Sequence, residues 1–305
     1  MPMAATSPVS RSISPACGSR PLPAHGWLGL GIVILAEALL FAGQPVVGRW
    51  FTPIVWTGYV LLVDALAARV TGRSYLTSAR AELPLLILAS IGAWWLFEWY
   101  NAPRFWRGGA ERLGIWWQYH GLEPDPWLRR LGYDWSFATI FPALFLTAAL
   151  LKARVFARAR VAPWRFPPRL LRTATVVGAG LVVLPLLVPD ARLVPLVWTG
   201  FVLLLEPLNY RRGRPSWMGA LATGDASLVL ALLTSGLLCG VLWEFWNYWA
   251  LTRWTYSVPY VGSLKLFEMP LPGYLGFPPF ALECYAMYHW LRGRLGPQSD
   301  AGAVL

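Results

Sequence analysis

Pro53-Ile-Val-Trp-Thr-Gly-Tyr-Val-Leu-Leu62 and Pro195-Leu-Val-Trp-Thr-Gly-Phe-Val-Leu-Leu204 are one ten-residue segment occurring twice. The copies differ only at Ile54/Leu196 and Tyr59/Phe201. The correspondence continues downstream. Leu96-Phe-Glu98-Trp-Tyr-Asn101 matches Leu242-Trp-Glu244-Phe-Trp-Asn247, and Trp117-Gln-Tyr119 matches Trp254-Thr-Tyr256. Pro142 matches Pro279. A duplication of this kind sets two copies of each shared residue about a pseudo-twofold axis. In membrane proteins the working site commonly lies where such copies meet.

Composition places the chain in a membrane. Hydrophobic residues make up 56% of it, charged residues 13%, and mean hydropathy is +0.48. A soluble domain carries nearer a quarter charged residues. Apolar runs long enough to cross a bilayer fall at about 27–44, 53–69, 83–101, 135–151, 173–189, 194–208, 226–248 and 273–291. The expected fold is all-α: eight spans in two parallel four-helix repeats. The first repeat covers 27–155 and the second 172–294. A basic linker, 156–171, joins them. Tails at 1–26 and 295–305 flank them, the first rich in Pro, Ser and Ala and expected to be disordered.

Most of the 26 Lys and Arg lie in alternate connections: the N-terminal tail, the loops near 69–82, 152–172 and 209–225, and the C-terminal tail. The positive-inside bias puts both termini in the cytoplasm of a bacterial cytoplasmic membrane. The net charge of +11 is therefore assigned to topology and to anionic lipid at the cytoplasmic loops, not to nucleic acid. Three scattered histidines, His25, His120 and His289, offer no metal or haem spacing. Neither metal nor cofactor is expected, and nothing in the sequence sets the oligomeric state.

Acids within hydrocarbon are costly and so informative. Asp64 and Glu206 are a matched pair near cytoplasmic helix ends, where bonding to backbone or to a basic neighbour is the expected role. Glu98 and Glu244 open a Glu-x-x-Asn pattern in each copy. Spacing i, i+3 puts Glu98 with Asn101, and Glu244 with Asn247, on one helix face, so that the amide orients the carboxyl. Trp117, Tyr119, Trp243, Trp254 and Tyr256 crowd the same region. Their rings suit a belt at the membrane interface, and equally a pocket for a long apolar ligand or the stabilisation of a cation. Only the second copy has Glu268 and Glu283; Leu131 and Leu146 stand at the matching places. Glu283 is expected near mid-span, one turn after a break at Pro278-Pro279.

The pattern Trp243-Glu244-x-x-Asn247-Tyr248, then Trp254-x-Tyr256, then a Pro/Glu turn and a Phe-rich span resembles the small flavin-free membrane lycopene cyclases and related carotenoid-modifying proteins. The block Trp243–Tyr288 is closer to uncharacterised bacterial integral membrane proteins. The chain departs from the cyclase pattern in having Glu244 for Asp, Glu268 without a paired Glu, and four spans per copy for about three. The resemblance implies two homologous halves that protonate a C=C bond of a linear isoprenoid without net redox change and without a cofactor. Catalytic candidates are then Glu244, Glu283, Glu98 and Glu268. Asn101, Asn247, Trp117, Tyr119, Trp243, Trp254 and Tyr256 would contact the isoprenoid or other membrane lipid. A lipid or solute carrier using Glu98 and Glu244 as symmetric polar contacts is the alternative, as is a structural membrane protein without chemistry. Whether the loop 102–134 closes over the site is left open at this level.

Overall fold

A computed structural model describes residues 21–102, 114–188, 190–257, 264–295 and 304–305. The chain is mostly helical. The elements run α1 (Ala24–Phe41), α2 (Pro45–Arg49), α3 (Phe51–Thr71), α4 (Leu83–Asn101), β1 (Trp117–His120), α5 (Pro126–Ala138) and α6 (Ile140–Arg154). They continue as α7 (Pro168–Leu187), α8 (Val194–Arg211), α9 (Trp217–Ala222), α10 (Ser227–Trp249), β2 (Arg253–Tyr256), β3 (Lys265–Leu266), β4 (Met269–Pro270) and α11 (Phe277–Leu295).

Among the described residues, six stretches are helical, long and apolar enough to cross a membrane: 24–41, 51–71, 83–101, 126–154 (α5 with α6), 168–187 and 227–249. The sixth and eighth apolar runs of the sequence also form helices, α8 and α11, of 18 and 19 residues. Glu206 and Arg211 in the first, and Glu283, Arg292 and Arg294 in the second, make them less apolar.

Several boundaries differ from the sequence expectation. Helix α1 begins at Ala24 and so takes in the end of the tail 1–26; residues 1–20, with the disorder expected of them, lie outside the described residues. The fourth run is two helices, α5 and α6, joined at Thr139. Two small two-stranded sheets, β1–β2 and β3–β4, modify the all-α expectation. Pro278 and Pro279 do not break a span. They sit in the first turn of α11, where a proline lacks only an N–H that has no helical acceptor. Glu283 therefore falls in the second turn. The basic linker is held down at its first half: Val161 N donates to Gly224 O (3.0 Å), Ala226 N to Ala159 O (3.2 Å), and Arg160 pairs with Asp225 (3.2 Å). In the final tail 295–305, Val304 is buried and 296–303 lie outside the described residues.

Glycines allow close helix crossings. A Cβ added to Gly29 on α1 would lie 2.5 Å from Gly58 O on α3; one added to Gly178 on α7 would lie 2.4 Å from Leu204 N on α8. Lipid tails are as apolar as leucine, so helices in a bilayer gain by close backbone approach rather than by leaving water. Gly178→Val is expected to lower stability by about 1–3 kcal/mol through overpacking. Gly180→Val, at a glycine with open space around it, should change the thermal midpoint little. Equal midpoints for the two variants would remove this account of the crossing.

The matched acids near the helix ends do matched work. Asp64 Oδ1 accepts from Tyr75 N (2.8 Å) and Leu76 N (3.2 Å), and its Oδ2 meets His25 Nε2 at 3.1 Å. Glu206 Oε1 accepts from Ser216 Oγ (2.6 Å) and Met218 N (2.8 Å). Each carboxyl thus fastens the segment that follows its own helix. At the far end of α4, Glu82 accepts from Tyr288 Oη (2.7 Å) and pairs with Arg292, tying α4 to α11.

Candidate functional site

Asn101 and Asn247 end α4 and α10, and their side chains catch the chain as it returns. Asn101 Nδ2 donates to Trp117 O (2.9 Å), and its Oδ1 accepts from Trp116 N (2.9 Å) and Trp117 N (3.1 Å). Asn247 Nδ2 donates to Trp254 O and its Oδ1 accepts from Trp254 N, both at 2.8 Å. Each amide satisfies strand backbone; Asn101 also interacts with the Glu98 carboxyl, as expected from the spacing, while the contacts of Asn247 are with Trp254. A carboxylate has no donor to offer the strand carbonyl, and only an amide serves both of its groups.

The strands so fastened pair with each other. β1 and β2 run antiparallel, with Trp117 opposite Tyr256 and Tyr119 opposite Trp254. The two Trp-x-Tyr segments, 137 positions apart in matched places, therefore form one ribbon. Asn247→Ala is expected to leave both Trp254 backbone groups unpaired, at a cost of about 1–3 kcal/mol. Hydrogen exchange at the β1–β2 amides measures it; unaltered protection would show that the ribbon does not depend on Asn247.

Both acids point at the ribbon, yet their surroundings differ. Glu98 Oε1 accepts from Tyr119 Oη (2.5 Å), Trp117 Nε1 (3.0 Å) and Trp94 Nε1 (3.1 Å). Glu244 is fully buried and accepts at Oε1 from Tyr256 Oη (2.7 Å), which in turn accepts from Trp254 Nε1 (2.7 Å). Among the described residues Glu244 Oε2 has no hydrogen-bond partner. A further difference is visible a turn earlier on each helix. Trp94 precedes Glu98 by four residues, while Gly240 precedes Glu244 by four, and the space over Gly240 is filled by the Phe277 ring. Burial first, and then the facing Glu98 or Glu244 carboxyl, pushes the Tyr119 and Tyr256 phenols well above their ordinary range. Both remain protonated donors across physiological pH.

A cavity of about 1370 Å³, counted to its open mouth, lies beneath the ribbon. Of the sequence candidates, Glu244, Trp117, Tyr119, Trp243, Trp254 and Tyr256 line it. Trp56, Trp94, Trp198, Phe277 and Phe280 complete its aromatic wall. Glu98, Asn101, Asn247, Glu268 and Glu283 are not among the lining residues. Trp56 and Trp198 went unremarked as site residues, although the signal was present: they are the matched tryptophans of the repeated ten-residue segment. The mouth residues Arg49, Glu123 and Arg129 had no comparable signal. Of the loop 102–134, residues 103–113 lie outside the described residues; Leu122, Leu128 and Tyr133 contribute to the wall.

The two acids particular to the second copy lie apart from the cavity wall. Glu268 is half-buried at the tip of the β3–β4 hairpin, after Phe267, whose φ of 58° is unusual for a bulky residue. Phe267 packs on Phe245 and Tyr248, which hold that turn. Glu283 is fully buried, and neither of its oxygens has a hydrogen-bond partner among the described residues. His289 is half-buried, its ring packed against Tyr285 and Tyr288. No group of three or more His, Cys, Asp or Glu able to hold a metal occurs among the described residues.

No protein-family model, curated protein or solved structure matches this chain.

Proposed function

We propose that this chain is an enzyme of the bacterial cytoplasmic membrane that protonates a C=C bond of a long isoprenoid or carotenoid-like lipid, with Glu244 as proton donor. Its eight spans form two parallel four-helix repeats with both termini cytoplasmic. One observation carries the reading: Glu244, fully buried and with one carboxyl oxygen unpartnered among the described residues, belongs to the wall of an aromatic cavity. Dry surroundings disfavour the charged form of a carboxyl and keep water from a cation.

In the proposed step the alkene π pair takes the Glu244 proton to form a C–H bond. The positive charge that develops on the adjacent carbon faces indole rings, which attract cations through their negative faces. Tyr256 Oη then stabilises the new carboxylate. Ring closure or double-bond migration ends with loss of a proton from a neighbouring carbon back to the Glu244 carboxylate. Capture by a water, which gives its proton to the Glu244 carboxylate as its oxygen bonds the cationic carbon, gives a hydrated product instead. Neither route needs an oxidant, reductant or cofactor. The carrier alternative predicts two equivalent acids on one path, whereas Glu244 and not Glu98 lines the cavity.

The test is expression in bacteria that accumulate linear carotenoids, followed by mass spectrometry and chromatography of the extracted isoprenoids. A product of unchanged mass, or heavier by one water, should form with the native chain. Extracts identical to the empty-vector control, with folded protein in the membrane, reject the reading.

A further inference from the structure

The mouth of the cavity differs from its wall. Arg49, at the end of α2, and Arg129, on α5, both line it, together with Glu123. Arg49 Nη1 meets Glu123 Oε2 at 3.3 Å, through one of its five N–H donors, and its side chain is 44% exposed. Arg129 spends two donors on backbone carbonyls, Glu123 O (2.8 Å) and Pro124 O (2.9 Å). Carbonyls orient a guanidinium without cancelling its charge. Two guanidinium groups thus stand at the rim of an otherwise aromatic chamber with one carboxylate, Glu123, which pairs with Arg49.

A wholly hydrocarbon ligand gains nothing from guanidinium groups at that rim. An amphipathic one gains twice: its chain lies against the indoles and its charged end meets the planar forks that suit oxyanions. We infer that the ligand of this cavity is an isoprenoid ending in a phosphate-type oxyanion, held by Arg49 and Arg129 with its chain running inward toward Glu244. This rests on the reading of the cavity as an isoprenoid site, but not on the chemistry assigned to Glu244. Glu123 plays the part of an internal competitor that occupies Arg49 until the charged end arrives.

The test is tryptophan fluorescence titration of the full chain in lipid nanodiscs. Three probes are used: geranylgeranyl phosphate, geranylgeraniol and inorganic phosphate. The phosphate ester should bind about tenfold or more tightly than the alcohol, the scale of one charge-assisted hydrogen bond. Arg49→Gln and Arg129→Gln should each remove most of that difference and leave alcohol binding as it was. Glu123→Gln should strengthen binding of the ester several-fold, a change that a misfolded variant does not produce. Equal affinity for ester and alcohol overturns the inference. So does a response to inorganic phosphate alone at the same concentrations, which would assign the arginines to a free anion. Glu244→Gln should keep the preference for the ester. Retained preference without any conversion in cells would reject the proposed chemistry and leave the head-group site standing.

Discussion

Glu244→Gln is expected to lower isoprenoid conversion by about 10²–10⁴-fold, the usual contribution of a positioned general acid. The substitution is close to isosteric. The amide oxygen can still accept from Tyr256 Oη, so the Trp254–Tyr256–residue 244 chain of hydrogen bonds survives. What is lost is the carboxyl proton. Thermal stability should therefore stay near the native value. Glu98→Gln provides the contrast. Glu98 accepts all three of its donors at one oxygen, which the glutamine carbonyl can replace, and it does not line the cavity, so both stability and turnover should stay near native. Activity of Glu244→Gln within a few-fold of native would rule out Glu244 as donor. Equal losses in the two variants would mean that the acids act together as a clamp on the ribbon.

The second large effect has the opposite sign for stability. Glu283→Leu should stabilise the protein by about 1–3 kcal/mol, the cost of a buried polar group without a partner. Both Glu283 oxygens lack partners among the described residues, and the residue is fully buried in α11. The first copy already carries leucine, Leu146, at the matching place. A buried group left without a partner calls for an explanation, and function is one. Conversion should fall in the variant whose thermal midpoint rises. A midpoint that drops by a similar amount would show that Glu283 is bonded in the folded protein, and its claim to a functional role would lapse.

Much of this arrangement was legible in the residues. Hydropathy located the helices, because crossing a bilayer demands a run of about 20 apolar residues wherever the rest of the chain lies. The repeat paired Asp64 with Glu206 and Glu98 with Glu244, and each pair makes comparable contacts at a helix end. The same repeat contained Trp56 and Trp198, whose place in the cavity wall was not drawn from it. The Pro278-Pro279 pair was misplaced because a proline that starts a helix and one that breaks it look alike in an apolar run. The neighbouring 3-10 turn, Leu271–Gly276, decides between them.

Span positions, the duplication, and the identity of the few acids set among aromatic rings follow from order along the chain alone. Each reflects a local cost, of charge or of unpaired backbone in hydrocarbon, that residues within one helix settle among themselves. The antiparallel pairing of Trp117-x-Tyr119 with Trp254-x-Tyr256, the attachment of Asn101 and Asn247 to strand backbone, and the unpartnered Oε2 of Glu244 came only with the tertiary structure. Those features depend on which distant groups come within about 3 Å of each other. Gly240, standing where the other copy has Trp94, removes one of the three indole and phenol donors that the Glu98 carboxyl has.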